Sequence, residues 1–315
     1  MSELEIQEMV RVAHLYYEEM LTQESIAKRL NLTRWKVGRM LREARELGIV
    51  KIEITHAGGR LAELESQLVQ RFGLSSAVVV ANHGATEASL LDSVGRQSAQ
   101  HLANINPQPT TLGVGWGRTM NSVAQHARAN WAENIMVVQM NGALTRGSSE
   151  GAQNEAAQIL ASKAGGRHAL LPVPAIVDLE TVREGLERDS TVSHILNLAR
   201  SAPAALFSMG AITENSVLVE SGYLKKEDVR RLKSLGAVGD VLGRFISAEG
   251  KTIDTHLDQR TLGLTIDDLK EKEIRIGITH GKSKLGVTMA ALKSKLLTTL
   301  ITDEETASYV VSTHD

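Results

Sequence analysis

The chain has 315 residues, a formal net charge of −2 and 42% apolar residues, with aromatics only 3% of the whole. That length suits two or three domains around an aliphatic core, and the near-neutral charge excludes bulk polyelectrolyte binding, so any contact with nucleic acid must be local. The absence of cysteine excludes disulfides, thiolate metal sites and cysteine nucleophiles. The start MSELEIQEMV carries no signal-peptide pattern and no apolar run approaches a membrane span, so a cytoplasmic protein with no membrane partner is expected.

In chain order, Glu3 to Leu21 reads as an amphipathic helix with Ile6, Met9, Val10, Ala13, Leu15 and Tyr17 at apolar positions. Thr22, with Ser25 as a second possibility, can cap a short helix QESIAKRL. Asn31-Leu32-Thr33 is a tight turn, and Thr33 can cap a second helix that runs to Gly48. On that helix Val37, Met40, Leu41, Ala44 and Leu47 recur at spacings of three and four, so one face is core. Two helices joined by a short turn, the second basic, form a helix-turn-helix.

Charge placement sharpens this signal. Lys28, Arg29, Arg34, Lys36, Arg39 and Arg42 follow one another with no acid between Lys28 and Arg42, while residues 1–54 carry equal numbers of acids and bases. Many of the acids sit in the first helix, away from the presumed DNA face. A basic strip in a neutral domain suits local phosphate contact, although a solvated helix face gives the same pattern. The residues expected to meet double-stranded operator DNA are Gln23 on the first of the paired helices and Thr33, Arg34, Trp35, Lys36 and Arg39 on the second. Ile49–Ile54 alternates like a strand or wing, and His56-Ala57-Gly58-Gly59 marks the domain boundary. The leucine-rich helix that follows, closed by Gly73, suits either a dimer seam or packing on the next domain. The expected division is 1–56 for DNA binding, 57–74 for a linker or oligomerisation helix, and 75–315 for an α/β domain.

From Ser76 onward short apolar runs alternate with helical stretches. Candidate strands are 77–81, 110–115, 135–140, 168–173, 204–209, 274–279 and 298–301, and candidate helices 84–104, 118–130, 150–164, 178–200, 225–235 and 282–296. This alternation predicts a Rossmann-like parallel sheet covered on both faces, with ligands beyond the carboxyl ends of the strands. Gly113-Val-Gly-Trp-Gly-Arg-Thr119 follows a strand and opens a helix. Its glycines permit close backbone approach and the helix start favours a phosphate, with Arg118 and Thr119 as further donors. A tight strand-to-helix turn would look the same, and the spacing is not that of a dinucleotide site. Gly277-Ile-Thr-His-Gly-Lys-Ser-Lys284 fails as a P-loop by one residue, yet Lys282 or Lys284 could reach an anion. Asp240 could accept bonds from sugar hydroxyls or merely cap a turn.

LTQESIAKRLNLTRWKVGRMLREARELGIVKIEI resembles the N-terminal domain of the SorC family of bacterial transcriptional regulators. LGVGWGRTM, VVQMNGAL, LPVPA, GAVGDVLGRFISAEG, GKSKLGVTMAAL and LITDEETA resemble that family's effector domain in the same order, so the resemblance spans nearly the whole chain. It implies a winged-helix-like DNA-binding domain and an effector domain similar in fold to sugar-phosphate isomerases that senses phosphorylated sugars. Gly115, Trp116, Gly117, Arg118, Thr119, Asn141, Gly142, Asp240 and Lys284 then fall at effector-binding positions. Met209-Gly-Ala-Ile212 departs from the family's frequent G-I-G segment. The resemblance also implies a dimer or tetramer, and a repressor of a carbohydrate or nucleoside catabolic operon is expected. An isomerase- or deaminase-like enzyme fused to a DNA-binding domain is the alternative. The scattered histidines form no HExxH, HxH or nucleophile elbow, Asp254 and His256 read as surface residues, and no catalysis, metal or cofactor is expected.

Overall fold

The computed structural model describes residues 3–50, 60–82, 84, 86–143 and 155–313, and the chain divides into two compact units, 1–57 and 58–315. In the first unit α1 (Glu3–Tyr17), α2 (Gln23–Leu30) and α3 (Arg34–Glu46) enclose a small core of Met9, Val12, Ile26, Val37, Met40, Leu41 and Ala44. Each cap reflects its local sequence. Thr22 Oγ1 accepts from the Ser25 amide at 3.2 Å and Thr33 Oγ1 accepts from the Lys36 amide at 3.1 Å, each satisfying one stranded donor of a helix start. Asn31 turns the chain in the left-handed conformation at φ 54°, which asparagine tolerates better than most residues. Ser25 therefore lies inside α2, and α3 ends two residues before Gly48, which leaves Leu47 exposed outside the expected apolar face. The strand expected over 49–54 and the boundary at 56–59 fall largely outside the described residues.

The second unit is an α/β domain. Its strands are β1 (Ser76–Val80), β2 (Thr111–Val114), β3 (Met136–Gln139), β4 (Arg167–Ala169), β5 (Ala204–Gly210), β6 (Gly239–Val241), β7 (Arg244–Ile246), β8 (Ile274–Ile278) and β9 (Thr299–Asp303). Seven form one parallel sheet in the order β1-β9-β8-β5-β2-β3-β4. Side chains alternate between two cores, as strand geometry requires: Ala77, Val79, Ala205 and Phe207 face one, Val78, Val80, Ala204 and Leu206 the other. Because both faces are buried, the strands read as continuous apolar runs.

Two expectations need correction, one of two open alternatives is supported, and one element was not anticipated. The helix before the domain, α4 (Ala62–Phe72), packs on the sheet: Leu68 is fully buried in the core, and Arg71 donates to the carbonyls of Val311 and Thr313. Its leucine stripe thus has an occupant within its own domain. The stretch 178–200 is two helices, Glu180–Arg188 and Ser190–Ser201, because the Asp189 carboxylate accepts from the Thr191 and Val192 amides and starts a new helix. Asp254 is a buried cap, accepting from the Leu257 amide and pairing with Arg231 at 2.6 Å. Finally, 239–246 is an antiparallel hairpin joined to the end of β5, with Leu242 and Gly243 both at positive φ in its turn, the backbone of a tight two-residue hairpin loop. Among the described residues no helix is long and apolar enough to cross a membrane.

Candidate functional site

Within the first unit, Thr33, Arg34, Trp35 and Arg39 are exposed, and Gln23 and Lys36 are half-buried. Trp35, 73% exposed at the start of α3, lies 5.2 Å from the Arg39 guanidinium, close enough for cation–π attraction. Gln23 packs over Gly38, whose absent Cβ leaves room at the crossing of α2 and α3. The acids are nearer the basic strip than expected. Glu8 of α1 holds Lys36 at 3.1 Å, Glu19 holds Arg29 at 2.8 Å, and Glu43 lies 3.6 Å from Arg39. Arg34 and Arg42 are also exposed on this helix.

In the second unit the chain runs from β1 through α5 (Glu87–Ala103) to β2, proceeds outward through β3 and β4, and returns to β5 on the other side of β2. The connections after β2 and β5 therefore leave in opposite directions, opening a crevice at the carboxyl ends of those strands. A cavity of about 460 Å³ occupies it, within the usual range for small-ligand sites. Of the expected effector residues, Gly115, Trp116, Gly117, Arg118, Thr119, Asn141, Asp240 and Lys284 all line it.

Gly142 does not. A Cβ there would stand 2.2 Å from the Pro174 carbonyl oxygen, so this glycine permits a close approach of two backbones, not of a ligand. Gly113 has a similar packing role against Met140, whereas Gly117, at φ 118°, makes the turn that opens α6 (Arg118–His126) into the cavity. The alternatives for the lysines resolve geometrically: Lys284 lines the cavity, while Lys282 is on the surface with Glu305 at 2.9 Å.

Asp240 caps the hairpin turn and also faces the cavity. Its Oδ2 accepts from the Gly243 amide at 3.0 Å, bracing the hairpin turn, and the carboxyl lines the cavity. Gly210 makes room for it, since a Cβ there would lie 2.0 Å from Oδ1. Burial pushes the Asp240 carboxyl up to about 6, opposed by the Gly243 bond and the Lys284 charge. Burial also pulls the Lys284 ammonium down to about 8, with Asp240 working against that shift and Arg118 adding to it. Arg118, at the mouth, faces Glu220 at 3.2 Å.

Two residues that spacing alone did not mark shape this site. His280, just beyond β8, is 7% exposed and lines the cavity. Burial, with help from Lys284 and Arg118 and against Asp303, takes its imidazole down to about 4, so it is neutral at neutral pH. Arg244 is buried behind the hairpin and donates to Leu264, Thr261, Gly263 and Asp258, at 2.6 Å to the Asp258 carboxylate. It clamps the segment that bridges to Asn141 through Gly263. The only sequence cue to His280 was its place in the loop tested as a P-loop.

Residues 58–312 match the family described as "Putative sugar-binding domain". The chain is 30% identical over 303 residues to the deoxyribonucleoside regulator of Bacillus subtilis, covering 96% of each. It is 28% identical to the erythritol catabolism regulatory protein EryD of Brucella abortus, over 96% of this chain and 95% of that protein. The crystal structure of the full-length sorbitol operon regulator SorC from Klebsiella pneumoniae superposes with a TM-score of 0.72 at 26% identity, covering 98% of this chain and 99% of that one. With a helix-turn-helix ahead of a parallel-sheet domain whose cavity lies at the strand switch point, the chain belongs to the SorC family of sugar-binding transcriptional regulators.

Proposed function

We propose that this protein is a cytoplasmic DNA-binding repressor of a carbohydrate or nucleoside catabolic operon, released or retained on its operator by a phosphorylated sugar. The observation that carries this reading is the convergence of Arg118, Lys284 and the opening turn of α6 on one cavity that also presents neutral polar groups. Cations beside a helix start suit a phosphate, and the polar wall suits a polyol. The names of the relatives support control of sugar or nucleoside genes.

On the DNA side, α3 of paired subunits would enter successive major grooves, with Arg34, Trp35 and Arg39 nearest bases or phosphates and Thr33 and Gln23 at the backbone. Lys36, tied to Glu8, serves phosphates only after that pair opens. A dimer or tetramer on a near-palindromic site follows from the two-fold logic of such readers. Effector binding biases one of two subunit arrangements and so changes operator affinity. The test is fluorescence anisotropy on the labelled region upstream of the protein's own operon, with added phosphorylated and unphosphorylated sugars. Saturable binding altered by a phosphosugar is expected. Binding indifferent to every sugar would remove the effector role from the larger domain.

The Asp240–Lys284 pair, one pushed up and one pulled down toward neutrality, favours a second reading as an acid–base site of a sugar-phosphate isomerase or deaminase. Following a panel of sugar phosphates by NMR over hours separates the two, because a sensor leaves every spectrum unchanged.

A further inference from the structure

We propose that His280, with Asn141 and Trp116, reads a hydroxyl group of the effector immediately beside its phosphate, and so determines which sugar phosphate the protein accepts. The inference rests on the effector reading of the cavity and concerns the part of the ligand that the cations do not hold.

Among the described residues, Trp116 Nε1, Asn141 Oδ1 and His280 Nδ1 are buried atoms without a hydrogen-bond partner, and all three residues line this cavity. Asn141 is 2% exposed and His280 7%. Buried polar atoms in folded proteins nearly always find partners, so three strays around one cavity need a physical cause. They come from different elements, the loop after β2, the end of β3 and the loop after β8, so no single local distortion accounts for them.

The chemistry of the three atoms narrows the occupant. The indole N–H can only donate, the amide oxygen can only accept, and a neutral imidazole has one nitrogen of each kind. A phosphate or carboxylate offers acceptors alone and would satisfy Trp116 while leaving Asn141 stranded. A hydroxyl both donates and accepts. It also serves if the Asn141 amide is turned over, because a stranded donor then replaces a stranded acceptor. Ligand hydroxyls are thus the group class that fits the whole wall. His280 precedes Lys284 by four residues and feels the charges of Lys284 and Arg118. The hydroxyl it meets is therefore at the phosphate end of the sugar. Because its imidazole stays neutral among those cations, it reads the ligand without competing for the phosphate.

Sites built to bond a hydroxyl discriminate strongly against ligands that lack it, since the site's own groups are then left unpaired. The experiment is isothermal titration calorimetry on the full-length protein. The ligands are ribose 5-phosphate, 2-deoxyribose 5-phosphate, glucose 6-phosphate, fructose 6-phosphate, glycerol 3-phosphate, the matching free sugars and inorganic phosphate. The proteins are wild type, His280→Phe and His280→Asn. For the tightest sugar phosphate, His280→Phe is expected to lose about tenfold or more in affinity. His280→Asn, which keeps polar atoms in the wall, recovers part of that loss, and inorganic phosphate binds all three proteins within about twofold. Retained phosphate binding also demonstrates that the variants are folded.

A His280→Phe protein that binds the sugar phosphate like wild type overturns the proposal. Equal weakening of sugar phosphate and inorganic phosphate also overturns it, because His280 would then be acting on the anion or on the fold. If free sugars bind wild type as tightly as their phosphates and His280→Phe still abolishes binding, the phosphate reading fails and the hydroxyl reading stands. Wild type that binds none of these compounds overturns both.

Discussion

On α3, Arg34, Arg39 and Arg42 are exposed, with the Trp35 indole beside Arg39, whereas Asp240 and His280 are buried, Lys284 is half-buried in the cavity lining, and each of these three has its proton affinity displaced by desolvation. The helix face has many cations of similar kind, the cavity a few groups of different kinds. Exposed charges act by number and are screened by salt. Enclosed ones act by identity and geometry, because an unpaired partner in low dielectric is costly. Substitutions should accordingly be graded on the helix and selective in the cavity.

The largest effect expected is for Lys284→Ala. Removing a cavity-lining cation from an anion site costs roughly 2–3 kcal/mol, or about 100-fold in effector affinity by calorimetry. Effector-free operator binding should stay at the wild-type level. If the affinity also stays, the phosphate is held elsewhere.

Gly142→Ala probes the packing beside the cavity without touching its lining. The added methyl has no room against the Pro174 carbonyl, and strain of that kind costs about 2 kcal/mol. The expected result is a lower unfolding temperature of the larger domain in calorimetry, with the ranking of effectors unchanged. A change in ranking at unchanged stability would return Gly142 to the ligand-contacting set.

Arg39→Ala should weaken operator binding by about tenfold and reduce the slope of log affinity against log salt by about one. The fold and the effector affinity should be unaffected. Unchanged operator affinity in anisotropy would remove α3 from the recognition role.

The same contrast explains how much was legible beforehand. The three helices of the first unit and the seven parallel strands were visible because caps such as Thr22 and Thr33, and strands buried on both faces, are local signals. What failed depended on tertiary neighbours. The hairpin at 239–246 was missed because its turn begins with Leu242 in the left-handed region, where asparagine or glycine would have announced it. Gly142 was carried over with the cavity residues because a glycine needed for backbone packing is spelled like one needed for a ligand. Asp254 read as a surface residue because its burial is made by Arg231, far away in sequence. The separation of acids from the basic strip failed for the same reason, as Glu8 returns to Lys36 through the helix packing. His280 is the costliest omission, a lone histidine that becomes a wall residue only when β8 ends beside the loops after β2 and β5.

The smallest effect expected is the pH dependence of effector binding, and its sign separates the two regions. In the effector-free protein the Lys284 ammonium titrates at about 8, below the ordinary 10.5. An anion beside it raises that value, so binding takes up a proton wherever the free amine is neutral and the bound one is charged. Affinity should therefore change little with this group below pH 7, fall about twofold between pH 7 and 8, and fall more steeply above. Ionisation also bears on stability. The lowered Lys284 value makes the effector-free fold gain stability as pH rises from 8 toward 10.5, and the raised Asp240 value makes it lose stability as pH rises from 3.8 through about 6. Between these windows both groups are charged and line the cavity. The empty cavity is then least favourable electrostatically in the neutral range where an anionic ligand binds best. Calorimetry from pH 6.5 to 9 on wild type and Lys284→Ala measures this directly. The variant should lose the decline above pH 8, and a decline that persists without Lys284 would assign the titrating group to another residue of the cavity.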